Sequence, residues 1–415
     1  SSAASDVYKR QVMWMAAGFS MLEAGLVRTK NTTEILTKNV GLFAIACTMY
    51  LVCGYQFMYD GGYFLSGVTT VAQMDDAAVA QVLSDSAAEG FDGGSVYSGA
   101  SDFFFQVVFV ATAVSIVSGA VAERMNQWPF FALAAFISGV IYPIQGFWNW
   151  GGGFLLTHHG YSDFAGSGTV HLAGGACALA AAMFIGPRVG KYGKETGKIY
   201  GLFPKAKTNK LYGANIPIAA LGTFILWLGW FGFNGGSELV ISDEASAIAV
   251  SQVFLNTNMA AAGGVLGALI LSLVMTGKSD VTMVINGAIA GLVAITAGPS
   301  APTGGEAVLI GFIGGLIVYA SILFFDKMNV DDPVGAISAH GTVGIFGVMV
   351  VPFTSDASFL YQFIGVISIA GFGFLASFGA VYVINMFMPI RASDEEQALG
   401  LDASEIGVEA YPEFK

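Results

Sequence analysis

The chain has 415 residues, 55% of them apolar and only 11% charged, with a formal net charge of −12 and a mean hydropathy of +0.67. Soluble proteins carry about a quarter charged residues, so this composition excludes a water-soluble enzyme and indicates a polytopic helical membrane protein. Its 55 glycines suit close helix contact in a bilayer, and the absence of a basic domain or stacking motif excludes nucleic-acid binding.

Residues 1–11 hold Lys9 and Arg10 and do not read as the native start. Apolar runs then recur at 12–27, 38–58, 103–122, 128–148, 166–185, 213–234, 250–274, 281–297, 307–325, 334–352 and 361–388. A span needs about 20 residues. The pattern predicts an all-α integral membrane protein with eleven transmembrane helices over residues 12–388, the first run being short. With the N-terminus outside, 15 of the 17 Lys and Arg residues fall in inner segments, the exceptions being Lys9 and Arg10. The loop 60–102, with seven acids and no base, lies outside. The basic, Gly-rich linker 187–212 and the acidic tail 389–415 are cytoplasmic, and Asp394-Glu395-Glu396 reads as a solvated face. Cys47, Cys53 and Cys177 all sit in apolar runs and form neither a disulfide framework nor a zinc pattern.

Two stretches share an outline: Asp163-Phe-Ala-Gly-Ser-Gly-Thr-Val-His171 and, 169 positions on, Asp332-Pro-Val-Gly-Ala-Ile-Ser-Ala-His340. Each pairs an acid with a histidine eight residues later, in a chain with only four histidines. Asp is a favoured helix N-cap, and Pro333 suits the first helical position. Eight helical residues descend about 12 Å, against about 15 Å for half a hydrocarbon core. Starting from opposite faces, both histidines reach the midplane. An inverted five-plus-five repeat follows, about 12–186 against 213–352, with the eleventh helix, 361–388, left over. Such repeats place transport sites near the midplane. A metal site fails on ligand count, whereas a proton relay or a hydrogen-bonding pair fits intramembrane imidazoles. Two unrelated histidines, each satisfied by neighbouring helices, are the plainer reading, and their matched placement weighs against it.

Trp150 lies at the outer end of the fourth run, where an interfacial belt residue is the ordinary expectation. Phe109 in Phe105-Gln-Val-Val-Phe109, and Phe233 and Ser237 in Phe233-Asn-Gly-Gly-Ser237, also lie toward the outer side. Rings and a hydroxyl gathered there would attract a small cation.

With Glu23-Ala-Gly-Leu-Val-Arg-Thr-Lys-Asn31, Gly119-Ala-Val-Ala-Glu-Arg124, Trp150-Gly-Gly-Gly, Gly229-Trp-Phe-Gly-Phe-Asn234, Asp331-Asp-Pro and Gly400-Leu-Asp-Ala-Ser-Glu405, these pieces resemble the ammonium transporter (Amt/MEP/Rh) family, in its prokaryotic Amt branch, over nearly the whole chain. The resemblance implies a cell-membrane homotrimer with one pore per subunit, an outward N-terminus, no cofactor and no enzymatic activity. It makes Trp150, Phe109 and Ser237 an outer recruitment site for NH4+, with methylammonium as analogue, and Asp163 a buried acid beside it. Phe109 and Phe233 become a stacked gate, and His171 and His340 the twin histidines of a hydrophobic pore conducting NH3. The tail is expected to touch neighbouring subunits and to respond to a PII-type regulator. Ile406 replaces the family's frequent His, and an extra residue between Trp150 and Asp163 accompanies the surface histidines His158 and His159. The alternatives are an electroneutral ammonia gas channel and an ammonium sensor. A sensor calls for a signalling domain after the last helix, and the tail has only about 27 residues.

Overall fold

The computed structural model describes residues 2–60, 84, 99–193, 208–239, 241 and 244–413. Most of the acidic loop 60–102 and the middle of the linker 187–212 lie outside the described residues. The described residues form helices throughout and no named strand. In order these are α1 (Ser2–Gln11), α2 (Trp14–Leu26), α3 (Thr32–Met49), α4 (Gly99–Val121), α5 (Gln127–Phe136), α6 (Tyr142–Asn149), α7 (Ala173–Ile185) and α8 (Ile216–Gly236). There follow α9 (Glu244–Thr276), α10 (Val281–Ile295), α11 (Gly304–Lys327), α12 (Val343–Val350), α13 (Phe359–Phe387) and α14 (Asp394–Leu399). Among the described residues, eight helical stretches are long and apolar enough to cross a membrane, and Val281–Ile295 and Ile337–Phe353 are shorter apolar helices. Each expected run is helical over most of its length; the first starts with a turn at residues 12–13, and the residues before it, outside every expected run, form α1.

Burial explains why these helices carry no clear amphipathic period. Of the most apolar stretch of α4, 94% is buried, so every face meets protein and every face is apolar. The value for α13 is 33%, and its outward side presents Leu375, Tyr382 and Phe387. With lipid as solvent, such an exterior costs nothing.

Local chemistry sets the helix ends. The Asn215 side chain accepts from Ile218 N and caps α8, with Pro217 in the first turn. Thr303 with Glu306, and Ser393 with Glu396, form capping boxes at α11 and α14. The exposed Asp394 and Glu395 are thus both solvated, as expected, and in the first turn of a helix, where negative charge is favoured. α3 is capped from the far end of the chain. Asp402 Oδ2 accepts from Thr32 N at 3.1 Å, and Oδ1 accepts from Glu34 N at 2.8 Å. Lys30 Nζ donates to Gln397 O, Glu405 accepts from Gln127 N, and Leu401 N donates to Asn31 Oδ1. The tail is therefore seated on its own chain.

A buried ionic knot closes the same end of the bundle. The Arg188 guanidinium forks onto Asp331 at 2.8 and 2.9 Å and reaches Glu123 at 2.7 Å. Glu123 also pairs with Arg28, and Arg124 donates to the carbonyls of Ala120, Gly186 and Asp331. The knot joins the ends of α2, α4, α7 and α11. Burial alone would raise the Asp331 carboxyl, but the charges of Arg188 and Arg124 outweigh it and hold it well below the usual carboxylate range. Burial works against the charge of Arg188 as well, and Asp331 and Glu123 more than reverse that. A folded-state value below the unfolded one adds stability above about pH 4, which is lost as pH falls through the folded value. Asp331→Asn is therefore expected to lower the Tm in detergent at pH 7, by the equivalent of about 3–5 kcal/mol for a broken buried pair. The gap to the parent protein should begin to narrow below about pH 4. A gap unchanged between pH 7 and pH 3 would refute the assignment.

Candidate functional site

A cavity of about 710 Å³ opens at the end of the bundle opposite the ionic knot. Its lining includes Phe109, Trp150, Asp163 and Ser237, all named from the sequence, together with Tyr55, Asp102, Gln106 and Tyr161. Trp150 is half-buried and fixed in place, its indole N–H donating to the Asp163 carbonyl at 2.9 Å. The Phe109 ring meets the Trp150 indole edge-on at 6.0 Å. Ser237 donates its hydroxyl to Phe233 O at 2.8 Å, which leaves the hydroxyl lone pairs free to accept.

At the inner side of this cavity Phe109 and Phe233 stack at 4.0 Å and 28°, and both are fully buried. Beyond them lies His171, its ring 5.3 Å from that of Phe233 and 4.9 Å from that of Trp230. His171 Nδ1 is 3.1 Å from His340 Nδ1. Nitrogens at that distance need one donor and one acceptor, so two neutral rings adopt opposite tautomers. Phe19 packs against the far side of His340 at 5.8 Å. His171 Nε2 is buried with no hydrogen-bond partner among the described residues.

The two Asp–His stretches are built alike, though not as regular helix starts. The helical turns begin at Ser167 and Ile337, four and five residues after the acids. In between, Gly166 (φ 109°) and Gly335 (φ 83°) adopt the left-handed conformation that glycine tolerates. Asp163 accepts from the N–H groups of Gly166, Gly168 and Thr169 and from the Thr169 hydroxyl. Asp332 accepts from the N–H groups of Gly335, Ala336 and Ile337. Both acids thus cap across a looped turn. Pro333 sits in that loop rather than at the first helical position, and the eight-step helical descent does not apply. Each histidine lies in a π-helical turn, Ser167–Leu172 or Ile337–Thr342, a wider winding that recurs at functional sites.

What brings the rings together is a crossing without side chains. A Cβ on Gly175 would collide with the Cα of Gly341, and one on Gly344 would lie 2.7 Å from Ser167 O. The segments leading into α7 and α12 therefore touch backbone to backbone, one turn from each histidine.

Several site residues were not singled out from the sequence: Phe19 and Asp102, together with Trp230 and Thr169, which stand only inside quoted motifs. Spacing could have found two of them. Trp230 precedes Phe233 by three and Phe19 precedes Glu23 by four, the intervals that share a helix face. His158 is exposed and His159 half-buried against Tyr361, apart from the paired histidines. Cys53 and Cys177 are buried and Cys47 half-buried, all three free.

The fold and the site define a helical membrane protein with a cavity and a buried histidine pair arranged in series. The model of the Ammonium Transporter Family matches residues 7–411, and the chain belongs to that family. It is 37% identical to the ammonium transporter Amt2 of Archaeoglobus fulgidus, over 97% of this chain and 86% of that protein. It is 35% identical to a putative ammonium transporter of Synechocystis sp., over 95% and 86%. A solved structure titled "Sensor Amt Protein" superposes with a TM-score of 0.84 at 32% identity, covering 97% of each chain. Candida albicans Mep2 shares the fold, with a TM-score of 0.76 at 23% identity, over 95% of this chain and 86% of that one.

Proposed function

We propose that this protein carries ammonium across the cell membrane, drawing NH4+ into the outer cavity and conducting NH3, together with a proton, past the histidine pair to the cytoplasm. One observation carries the reading: the paired Nδ1 atoms at 3.1 Å lie directly beyond the Phe109–Phe233 stack that bounds the aromatic cavity. A desolvated cation is attracted by Trp150 and Phe109 by about 2 kcal/mol and finds an acceptor in the Ser237 oxygen. Asp163 spends its lone pairs on backbone and side-chain donors, so it acts on the cation through its field and by holding the cavity wall. An unpaired charge in an apolar passage costs many kcal/mol, which favours release of the proton before the stacked rings. K+ has no proton to release, and the passage therefore discriminates against it.

The architecture that suits this reading has eleven spans, with the N-terminus outside, an inverted five-plus-five repeat and an additional last helix. The twin looped caps at Asp163 and Asp332 support the repeat. A homotrimer in the cell membrane and a PII-type partner on the cytoplasmic side belong to the same proposal.

The test is a current on a solid-supported membrane, using proteoliposomes pulsed with ammonium and with methylammonium. A transient current that both substrates evoke and K+ does not is the expected outcome. Uptake without current would replace the reading with an electroneutral gas channel. Saturable binding with neither current nor uptake would replace it with a sensor, the reading favoured by the likeness to the protein titled as a sensor.

A further inference from the structure

The far side of His340 holds a carboxylate that the transport scheme does not use. Glu23 lies one helical turn beyond Phe19, whose ring packs on His340, and its side chain is buried to 1% exposure. Glu23 and His340 line one enclosed cavity of about 10 Å³, whose polar walls otherwise are Ser115 and Asn286. That is roughly the room one water needs, in a mainly apolar wall where Glu23, His340, Ser115 and Asn286 are the polar residues. Asn286 and Val334 also line a larger cavity of about 400 Å³ at the inner end of the bundle. Glu23 therefore stands where the buried passage opens inward.

The hydrogen bonding around Glu23 serves two protonation states. Asn39 Nδ2 donates to Glu23 Oε2 and to Ile35 O, both at 2.9 Å, and has a hydrogen for each. Ser118 is different. Its Oγ lies 2.8 and 2.9 Å from the two Glu23 oxygens and 2.8 Å from Ser115 O. A hydroxyl has a single hydrogen and cannot donate to both. With Glu23 ionised, Ser118 donates to the carboxylate. With Glu23 protonated, the carboxyl O–H donates to Ser118 Oγ, and Ser118 donates to Ser115 O. Each state is hydrogen-bonded without movement of a heavy atom, which is what a group that takes up and gives back a proton requires. The nearest charged groups, Lys38 and Glu34 on α3, are paired with each other and leave Glu23 without a permanent counter-ion.

The geometry points to Glu23 as the inner proton carrier of the passage, receiving from the histidine pair, through the small cavity, the proton that ammonium releases outside. An N–H bond of the pair breaks and a carboxyl O–H forms. The O–H then breaks as NH3 in the inner cavity gains its fourth N–H bond, so that NH4+ leaves and the carboxylate is restored. The assignment rests on the transport reading above.

Proteoliposomes carrying the full chain or Glu23→Gln, each checked for a monodisperse elution peak, would be assayed in parallel for charge moved and for ammonia delivered, the latter as total ammonium (NH3 plus NH4+) recovered from the washed lumen. Glutamine keeps the shape and accepts from Asn39 and Ser118, yet carries no proton. The ratio of charge to ammonia is expected to fall at least tenfold in Glu23→Gln and to be largely restored in Glu23→Asp. An unchanged ratio in Glu23→Gln overturns the assignment. So does a loss of charge and ammonia in equal proportion, which marks Glu23 as structural only. Ammonia delivery without current in the parent protein replaces the proposed transport with an electroneutral channel and overturns the assignment, since it removes the proton that Glu23 is said to carry. Neither signal in the parent protein defeats the transport reading itself.

Discussion

Alanine at His171 is expected to cut ammonium-evoked current at least about fivefold and to let K+ through. The ring lies against both Trp230 and Phe233 and supplies, with His340, the hydrogen-bonding nitrogens beyond the stacked phenylalanines. On the proposed route its removal takes away a hydrogen bond to ammonia at a point where water offers little replacement, a loss of about 1–3 kcal/mol. Every 1.4 kcal/mol is tenfold, so the flux should drop by roughly 5- to 150-fold. The vacated space, with His340 left without its partner, admits water, and hydrated K+ can follow. His340→Ala should behave alike, since neither nitrogen keeps its 3.1 Å contact in either variant. Paired measurements of ammonium current and rubidium tracer uptake check both. Parental current with intact K+ exclusion in both variants would defeat the assigned role.

The second large effect is expected at Asp163. Three backbone N–H groups and two hydroxyls, those of Thr169 and Tyr161, are directed at its carboxylate. Asp163→Ala leaves those N–H groups buried without acceptors, at about 1–3 kcal/mol each. We expect that variant to be lost during purification. Asp163→Asn keeps one oxygen and turns an NH2 group toward donors, so we expect it to be recovered with a lower Tm and more than 100-fold less transport. Asp332→Asn is the comparison. It disturbs a similar set of N–H groups at the other end of the passage, away from the outer cavity. Its Tm should fall by a similar amount while methylammonium still elicits a measurable current. Equal transport losses in the two asparagine variants would show that Asp163 does nothing beyond capping.

The sequence made the helices legible because a bilayer fixes their length and empties them of charge. The pair His171 and His340 was legible because matched acids preceded them in a chain almost free of histidine. How they reach each other was not. A count of helical steps treats Asp163 and Asp332 as helix starts, whereas Gly166 and Gly335 insert a looped turn that no periodicity reports. Trp230 and Phe19 were missed because each is one apolar residue among many in α8 and α2, and only its three- or four-residue interval to Phe233 or Glu23 marks the face it shares. The knot of Arg28, Glu123, Arg188 and Asp331 draws its members from separate stretches of the chain, each of which, read alone, is a charged loop residue. Asp402 at the start of α3 is the same case, a cap supplied across 368 residues of chain.

The opposed tautomers of His171 and His340 give the pair a polarity. One ring carries its hydrogen toward the other, so at any moment the two Nε2 ends differ, one with a hydrogen and one bare. A proton handed along the pair exchanges the two tautomers and leaves this arrow reversed. A second proton travelling the same way then meets the wrong end. Trp230 and Phe233 stacked on His171 oppose a turn of the ring that would rewind it. On the proposed route the pair must be rewound once per ammonium, through the bonds it makes with the passing ammonia. Substrate passage thereby becomes the step that resets the wire, and protons without ammonia are stopped after the first.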